Sequence, residues 1–144
     1  MFFGLECRNT KFALEMADWR FCCEAKESIP LPPQYTFPQA FNYLNPECNS
    51  FYILTAPNGD YLQCGGSKER CTVERRVHRP GGYDHEVLGK KDGSEKMTHL
   101  DMSLDGVEVQ EREIFRHWEA IDLFKRFFAG DVFPDEIVFR QVNL

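Results

Sequence analysis

Residues 51–66 read Phe-Tyr-Ile-Leu-Thr-Ala-Pro-Asn-Gly-Asp-Tyr-Leu-Gln-Cys-Gly-Gly and carry the clearest structural signal in the chain. Two apolar runs, residues 51–55 and 61–64, flank an Asn58-Gly59 pair. Asn-Gly between apolar runs is the strongest short-range signal for a β-hairpin, because both residues tolerate the positive φ of a tight turn. The stretch therefore predicts two antiparallel strands, the second of which ends at the glycine pair.

The sequence after this hairpin continues in the same way. Residues 71–77 predict a third strand, Pro80-Gly81-Gly82 a turn, and residues 85–89 a fourth strand. Residues 97–100 and 107–109 are predicted to complete an antiparallel meander, and residues 137–142 end the chain as a strand. Most of the domain is therefore expected to be β.

The best helical pattern covers residues 113–129, where apolar side chains recur at three- and four-residue steps. Gly130 and Pro134 follow it as stop signals. A short helix is predicted over residues 37–44, and residues 12–27 mix helix-favouring and strand-favouring runs, so that both remain open. The repeating apolar residues of the long helix are Ile114, Phe115, Trp118, Ile121, Phe124, Phe127 and Phe128.

These elements predict an α+β fold: a mostly antiparallel sheet, a meander, packed by a Phe-rich C-terminal helix and a short N-terminal helix. The 144 residues suit one domain, 1–144. Within it, residues 1–35 hold an N-terminal element and a proline-rich connector, Ile29-Pro30-Leu31-Pro32-Pro33, which must be extended.

Composition bears on location and partners. No apolar run approaches the roughly 20 residues of a membrane span, and the first residues lack a secretory pattern. We therefore expect a cytoplasmic protein, in which the cysteines are reduced. The net charge is −6, and residues 92–136 alone carry −7. An acidic protein is a poor binder of nucleic acid or anionic membrane, so the sequence favours a basic protein partner and leaves the oligomeric state open.

Seven carboxylates of the acidic segment are the candidate partner-binding residues. Each alone would suit a solvated surface, but together they would create a negative field that speeds association with a basic partner. They are Asp101, Asp105, Glu108, Glu111, Glu113, Glu119 and Asp122.

Two other readings concern cysteines and histidines. Cys64, Cys71, His78 and His85 recur at intervals of seven, which suggests a small metal protein or enzyme, although zinc ligands normally come in close pairs. A cysteine–histidine nucleophile would need a base and an oxyanion hole, and the chain carries no catalytic motif. We therefore expect no enzyme activity and no cofactor. The basic residues around Arg75 and Arg76 are interrupted by carboxylates and predict a solvated strand face.

Three stretches resemble the immunity proteins of bacterial polymorphic-toxin and contact-dependent inhibition systems. They are the hairpin of residues 51–66, the helix of residues 118–128 with its Phe127-Phe128 pair, and the closing residues 133–140. Phe139 stands where such proteins often have Trp, and the first 35 residues lie outside the resemblance. The resemblance implies a cytosolic inhibitor without catalytic residues, which binds a cognate toxin domain and blocks its active site or substrate groove. The acidic charge suits a basic toxin that acts on nucleic acid.

Overall fold

A computed structural model describes residues 12–17, 26–29, 51–102 and 105–142. The short helix predicted over residues 37–44 and the connector after Ile29 lie outside these residues. Within the ambiguous residues 12–27, Ala13–Ala17 favour helix by composition but form a strand that pairs with Lys26–Ile29. The strand-favouring residues 19–23 lie outside the described residues.

The described strands form one seven-stranded antiparallel sheet and a separate two-stranded ribbon. The order in the large sheet is β2-β1-β3-β4-β5-β6-β9, and β7 pairs with β8 in the ribbon. The strands are β1 (Ala13–Ala17), β2 (Lys26–Ile29), β3 (Phe51–Thr55), β4 (Tyr61–Gly66), β5 (Cys71–Arg79), β6 (Gly82–Lys90), β7 (Met97–Leu100), β8 (Val107–Gln110) and β9 (Ile137–Val142).

Both predicted hairpins at the centre of the sheet form. Gly59 has a φ of 94°, and the Ala56 N–H donates to the Asp60 carbonyl at 2.8 Å to close the β3–β4 turn. Gly81, with a φ of 84°, turns the chain between β5 and β6. These positive φ angles are why glycine stands at both turns.

The predicted continuation of the meander is wrong after β6. Residues 97–100 and 107–110 leave the large sheet and pair only with each other, and β9 takes the place beside β6. Leu88 lies opposite Phe139 in this pairing. The pairing joins residues about 50 positions apart in the sequence, so no local turn signal predicts it.

One α-helix among the described residues, α1 (His117–Ala129), packs on one face of the large sheet. It begins four residues later than the pattern predicts, because Glu111–Glu113 form a 3-10 turn and Phe115 is extended. The Phe115 N–H donates to the Cys71 carbonyl at 2.7 Å, and the Cys71 N–H donates back at 2.9 Å. These bonds commit Phe115 to the sheet rather than to the helix.

The helix ends where its sequence indicates. Gly130 has a φ of 77°, and its N–H donates to the Phe127 carbonyl at 3.2 Å. The next N–H, of Asp131, donates to the Arg126 carbonyl at 2.9 Å. Together these two bonds form a Schellman motif, which fixes the direction of the chain beyond the helix.

The core lies between α1 and the sheet. Leu14 of β1 is fully buried in it, and Phe12 packs on Phe128 with ring centroids 4.8 Å apart, so described residues of the N-terminal segment share this core. An α+β fold with a mostly antiparallel sheet is confirmed. In the ranges given above, no helix has the length and apolar character needed to cross a bilayer. The core side chains are Leu14, Tyr52, Leu54, Leu62, Cys64, Cys71, Val73, Leu88, Phe115, Ala120, Leu123 and Phe124.

Candidate partner-binding surface

The β7–β8 ribbon presents carboxylates to solvent because its two faces differ. Leu100 and Val109 are buried and anchor one face. On the other face His99 lies directly opposite Glu108, as the period-two alternation of strands requires. The Glu108 carboxylate remains 63% exposed and Asp101, just after β7, 84% exposed.

His99 links two of these carboxylates. Its Nδ1 lies 2.6 Å from a Glu108 oxygen, and its Nε2 lies 3.5 Å from an Asp101 oxygen. Residues 97–111 contain four carboxylates and no lysine or arginine, so the ribbon carries −4 with histidine neutral. We call the exposed residues Asp101, Asp105, Glu108 and Glu111 the ribbon carboxylates.

Glu113 is placed differently from the ribbon carboxylates. Its side chain is 1% exposed and accepts two hydrogen bonds from the Arg140 guanidinium, at 2.7 and 2.8 Å. It also accepts the Gln110 N–H at 2.8 Å. The carboxylate raises the pKa of Arg140, chiefly through these hydrogen bonds. Glu113 therefore joins the 3-10 turn to β9 and is not part of the exposed acidic surface.

Glu119 and Asp122 lie on α1 and also have partners within the chain. Glu119 accepts the Arg116 N–H at 2.8 Å at the start of the helix and forms an ion pair with Lys90 at 3.0 Å. Asp122 pairs with Arg126 one turn later, at 2.9 Å. Asp122 stays 57% exposed and can still meet a partner, whereas Glu119 is half-buried.

The fold does not bring together the two cysteines and two histidines of the metal-site hypothesis. Cys64 and Cys71 are buried on the face that packs against α1. His78 points to the opposite face, because it lies an odd number of residues after Cys71 on the same strand. His85 shares the His78 face, because it pairs with Arg76. In the part of the chain that the structure describes, no three His, Cys, Asp or Glu side chains are placed so that they could hold one metal ion.

The same burial decides the chemistry of the thiols. Burial raises the pKa of Cys64 well above its usual value, and a hydrogen bond with Cys71 adds to the effect. The Cys71 thiol donates to the Phe115 carbonyl at 3.3 Å. Cys64 is therefore a protonated core residue rather than a nucleophile at neutral pH.

His85 has a partner that the sequence does not reveal. It is 3% exposed, its Nε2 lies 2.6 Å from a Glu74 oxygen, and the Arg76 Nε–H donates to its Nδ1 at 3.3 Å. The Arg76 guanidinium also stacks on Tyr83, 3.8 Å from the ring centre. Arg75 points to the other face, so the neighbouring arginines do not form one basic patch.

The features that sequence reasoning missed lie around Arg75. Its guanidinium lies 4.1 Å from the centre of the Phe139 ring and donates to Glu86 at 2.7 Å. Phe133 follows α1 and comes within 6.0 Å of Phe139, between ring centres. In the sequence, the Phe133-Pro134-Asp135 turn is the one local signal that Phe133 and Phe139 come together.

The chain matches no protein-family model, no curated protein and no solved structure.

Proposed function

We propose that this protein is a cytoplasmic immunity protein, which binds a basic toxin domain and blocks its active site or substrate groove. The observation that carries the proposal is the concentration of exposed negative charge on the β7–β8 ribbon, where 15 consecutive residues hold four carboxylates and no cation. The family resemblance of residues 51–66, 118–128 and 133–140 supports the same function. The proposal treats residues 1–144 as one immunity-type domain with a Phe-rich helix closing the sheet.

The physical role of the ribbon is to guide and select the partner. Charges of one sign at a surface raise the rate of encounter with an oppositely charged surface, and they disfavour partners of the same sign. A toxin that handles nucleic acid needs a basic groove, because phosphate contacts dominate its affinity for the polymer. Ribbon carboxylates seated in that groove would occupy the positions of the phosphates.

The placement of the carboxylates on the ribbon suits this role. It stands outside the seven-stranded sheet. Its exposed carboxylates lie in β8 and in the segments after β7 and after β8. Inhibitor interfaces commonly bury about 1,200–2,000 Å² in total and depend on a few well-placed anchors. Four exposed carboxylates on one strand pair and its flanking segments would supply such anchors.

The test uses the full chain and the toxin domain encoded next to its gene. The Asp101→Asn/Asp105→Asn/Glu108→Gln variant removes three ribbon charges, which changes the net charge from −6 to −3. The Glu69→Gln/Asp92→Asn/Glu136→Gln variant removes the same number of exposed carboxylates elsewhere. Co-purification at one to one and protection of cells that express the toxin are the two readouts.

We expect the wild type and the control variant to co-purify with the toxin and to protect. The ribbon variant should bind at least roughly tenfold more weakly, since each lost charge contact to a partner contributes on the order of 0.5–1 kcal/mol. Equal losses in both variants would show that net charge alone matters and would overturn the role of the ribbon. A failure of the wild type to bind or neutralise the toxin would overturn the function itself.

A further inference from the structure

A groove of about 660 Å³ lies on the helix-bearing side of the sheet, beyond the C-terminal end of α1. Strand β5, the loop after α1 and strand β9 form its walls. Its floor is apolar and includes Val77, Phe127, Phe133, Ile137 and Phe139. We call it the aromatic groove.

Negative charge surrounds this apolar floor. Asp60, Asp131 and Asp135 line the groove, and Asp131 and Asp135 are exposed. Arg75 is the one cation among the described lining residues, and Glu86 neutralises it. An apolar ligand would strip water from the carboxylates without replacing their contacts, which costs free energy. A ligand with a positive charge and an apolar body fits both parts of the surface.

The groove already holds one guanidinium in this manner. The carbon at the centre of the Arg75 guanidinium lies 4.1 Å from the Phe139 ring centre and 5.7 Å from the Phe133 ring centre. Planar guanidinium groups stack on aromatic rings and bind carboxylates through two donors, whereas an ammonium group is more strongly hydrated. The same chemistry therefore favours arginine over lysine beside Asp131 and Asp135.

The walls of the groove are fixed before any ligand arrives. The Schellman motif at Gly130 sets the path of the loop, and the Arg126 side chain donates to the Val132 carbonyl at 3.3 Å. The Ile137 N–H donates to the Pro134 carbonyl at 3.0 Å where the loop enters β9. A preformed site loses little conformational entropy on binding. The Val132 side chain at its edge is 84% exposed and would be covered by a ligand.

We propose that the aromatic groove receives an arginine side chain of the partner protein. This inference deepens the proposed function and rests on it for the identity of the partner: a basic toxin supplies the arginine. The groove would act as a second contact, separate from the ribbon carboxylates, in which Asp131 and Asp135 bind the guanidinium and the phenylalanine rings cover its stem.

The experiment titrates the isotope-labelled full chain with N-acetyl-arginine amide and follows amide signals by NMR. The citrulline analogue, which has nearly the same shape but no charge, and the lysine analogue are the matched probes. We expect saturable shifts around residues 131–139 with a dissociation constant on the order of millimolar, as suits one side chain. Citrulline and lysine should bind at least roughly threefold to fivefold more weakly.

Two variants locate the site. Asp131→Asn/Asp135→Asn should weaken arginine binding by roughly threefold or more, and Glu69→Gln/Asp92→Asn, which removes two exposed carboxylates outside the groove, should leave it unchanged. Equal binding of citrulline, equal binding of lysine, or shifts centred on the ribbon would overturn the proposal. No toxin is present in this titration, so its result does not depend on whether the toxin-neutralisation experiment succeeds.

Discussion

The buried ion pair between Glu113 and Arg140 makes a strong prediction about stability. Replacing Glu113 by Gln keeps the size of the side chain but removes its charge and turns one acceptor oxygen into a donor that faces the guanidinium. Breaking a buried pair typically costs about 3–5 kcal/mol, because an uncompensated charge stays behind. Here the Arg140 side chain is 31% exposed, so water can solvate part of that charge. We therefore expect a loss of roughly 1.5–3 kcal/mol in the free energy of unfolding.

Thermal and urea denaturation measure this loss. A change of 1 kcal/mol moves the midpoint of a domain of this size by roughly 4 °C, so Glu113→Gln should lower the Tm by about 6–12 °C. Glu111→Gln is the matched control two residues away, because Glu111 is exposed. It should change stability by less than about 0.5 kcal/mol. Midpoints for the two variants within about 2 °C of each other would show that the Glu113–Arg140 pair does not stabilise the fold.

Three further predictions concern local structure and pH. Glu119→Ala should lower the free energy of unfolding by about 0.5–1.5 kcal/mol, because it removes the acceptor for the Arg116 N–H. Asp122→Ala removes only a surface pair and should lower it by less than about 0.5 kcal/mol. Urea unfolding measures both values, and equal losses would contradict the capping role of Glu119. Gly130→Ala should lower the free energy of unfolding by about 1–2 kcal/mol. The loss comes from backbone strain alone, since φ is 77° and the added methyl group would meet open space. Calorimetry measures the change, and an unchanged Tm would contradict the prediction. The raised pKa of the Cys64 thiol predicts a contribution to stability that is complete below about pH 9. The contribution is lost as the pH rises through the higher pKa of the folded state, because the thiol ionises first in the unfolded chain. The fall in urea midpoint above about pH 9 should therefore be smaller in Cys64→Ala than in the wild type, and an identical fall would contradict the prediction.

The sequence predicts the central β-strands well because their signals are local. Asn58-Gly59 and Pro80-Gly81-Gly82 specify turns between neighbours, and period-two alternation assigns the faces of the strands between them. Alternation also explains why Cys64 and Cys71 are separated from His78 and His85. The prediction fails where pairing is long-range, as for β9 beside β6.

The candidate surface was predictable only in part, for a related reason. Charge counting finds Asp101, Asp105 and Glu108, but it cannot tell an exposed carboxylate from one that is buried against a distant arginine. Glu113 is of the second kind, since its partner Arg140 lies 27 positions away. The aromatic groove likewise combines β5, the loop after α1 and β9, which meet only in the folded chain.

The decisive test of the proposed function is the association rate of the protein with the toxin domain used in the neutralisation experiment. Stopped-flow fluorescence measures this rate at increasing salt. If ribbon carboxylates guide binding, the rate constant should fall by roughly tenfold or more between about 50 and 500 mM NaCl, while the dissociation rate changes little. The Asp101→Asn/Asp105→Asn/Glu108→Gln variant should start slower and show a shallower fall. A rate that does not change with salt, or that is the same in the wild type and the ribbon variant, would show that the ribbon carboxylates do not guide binding.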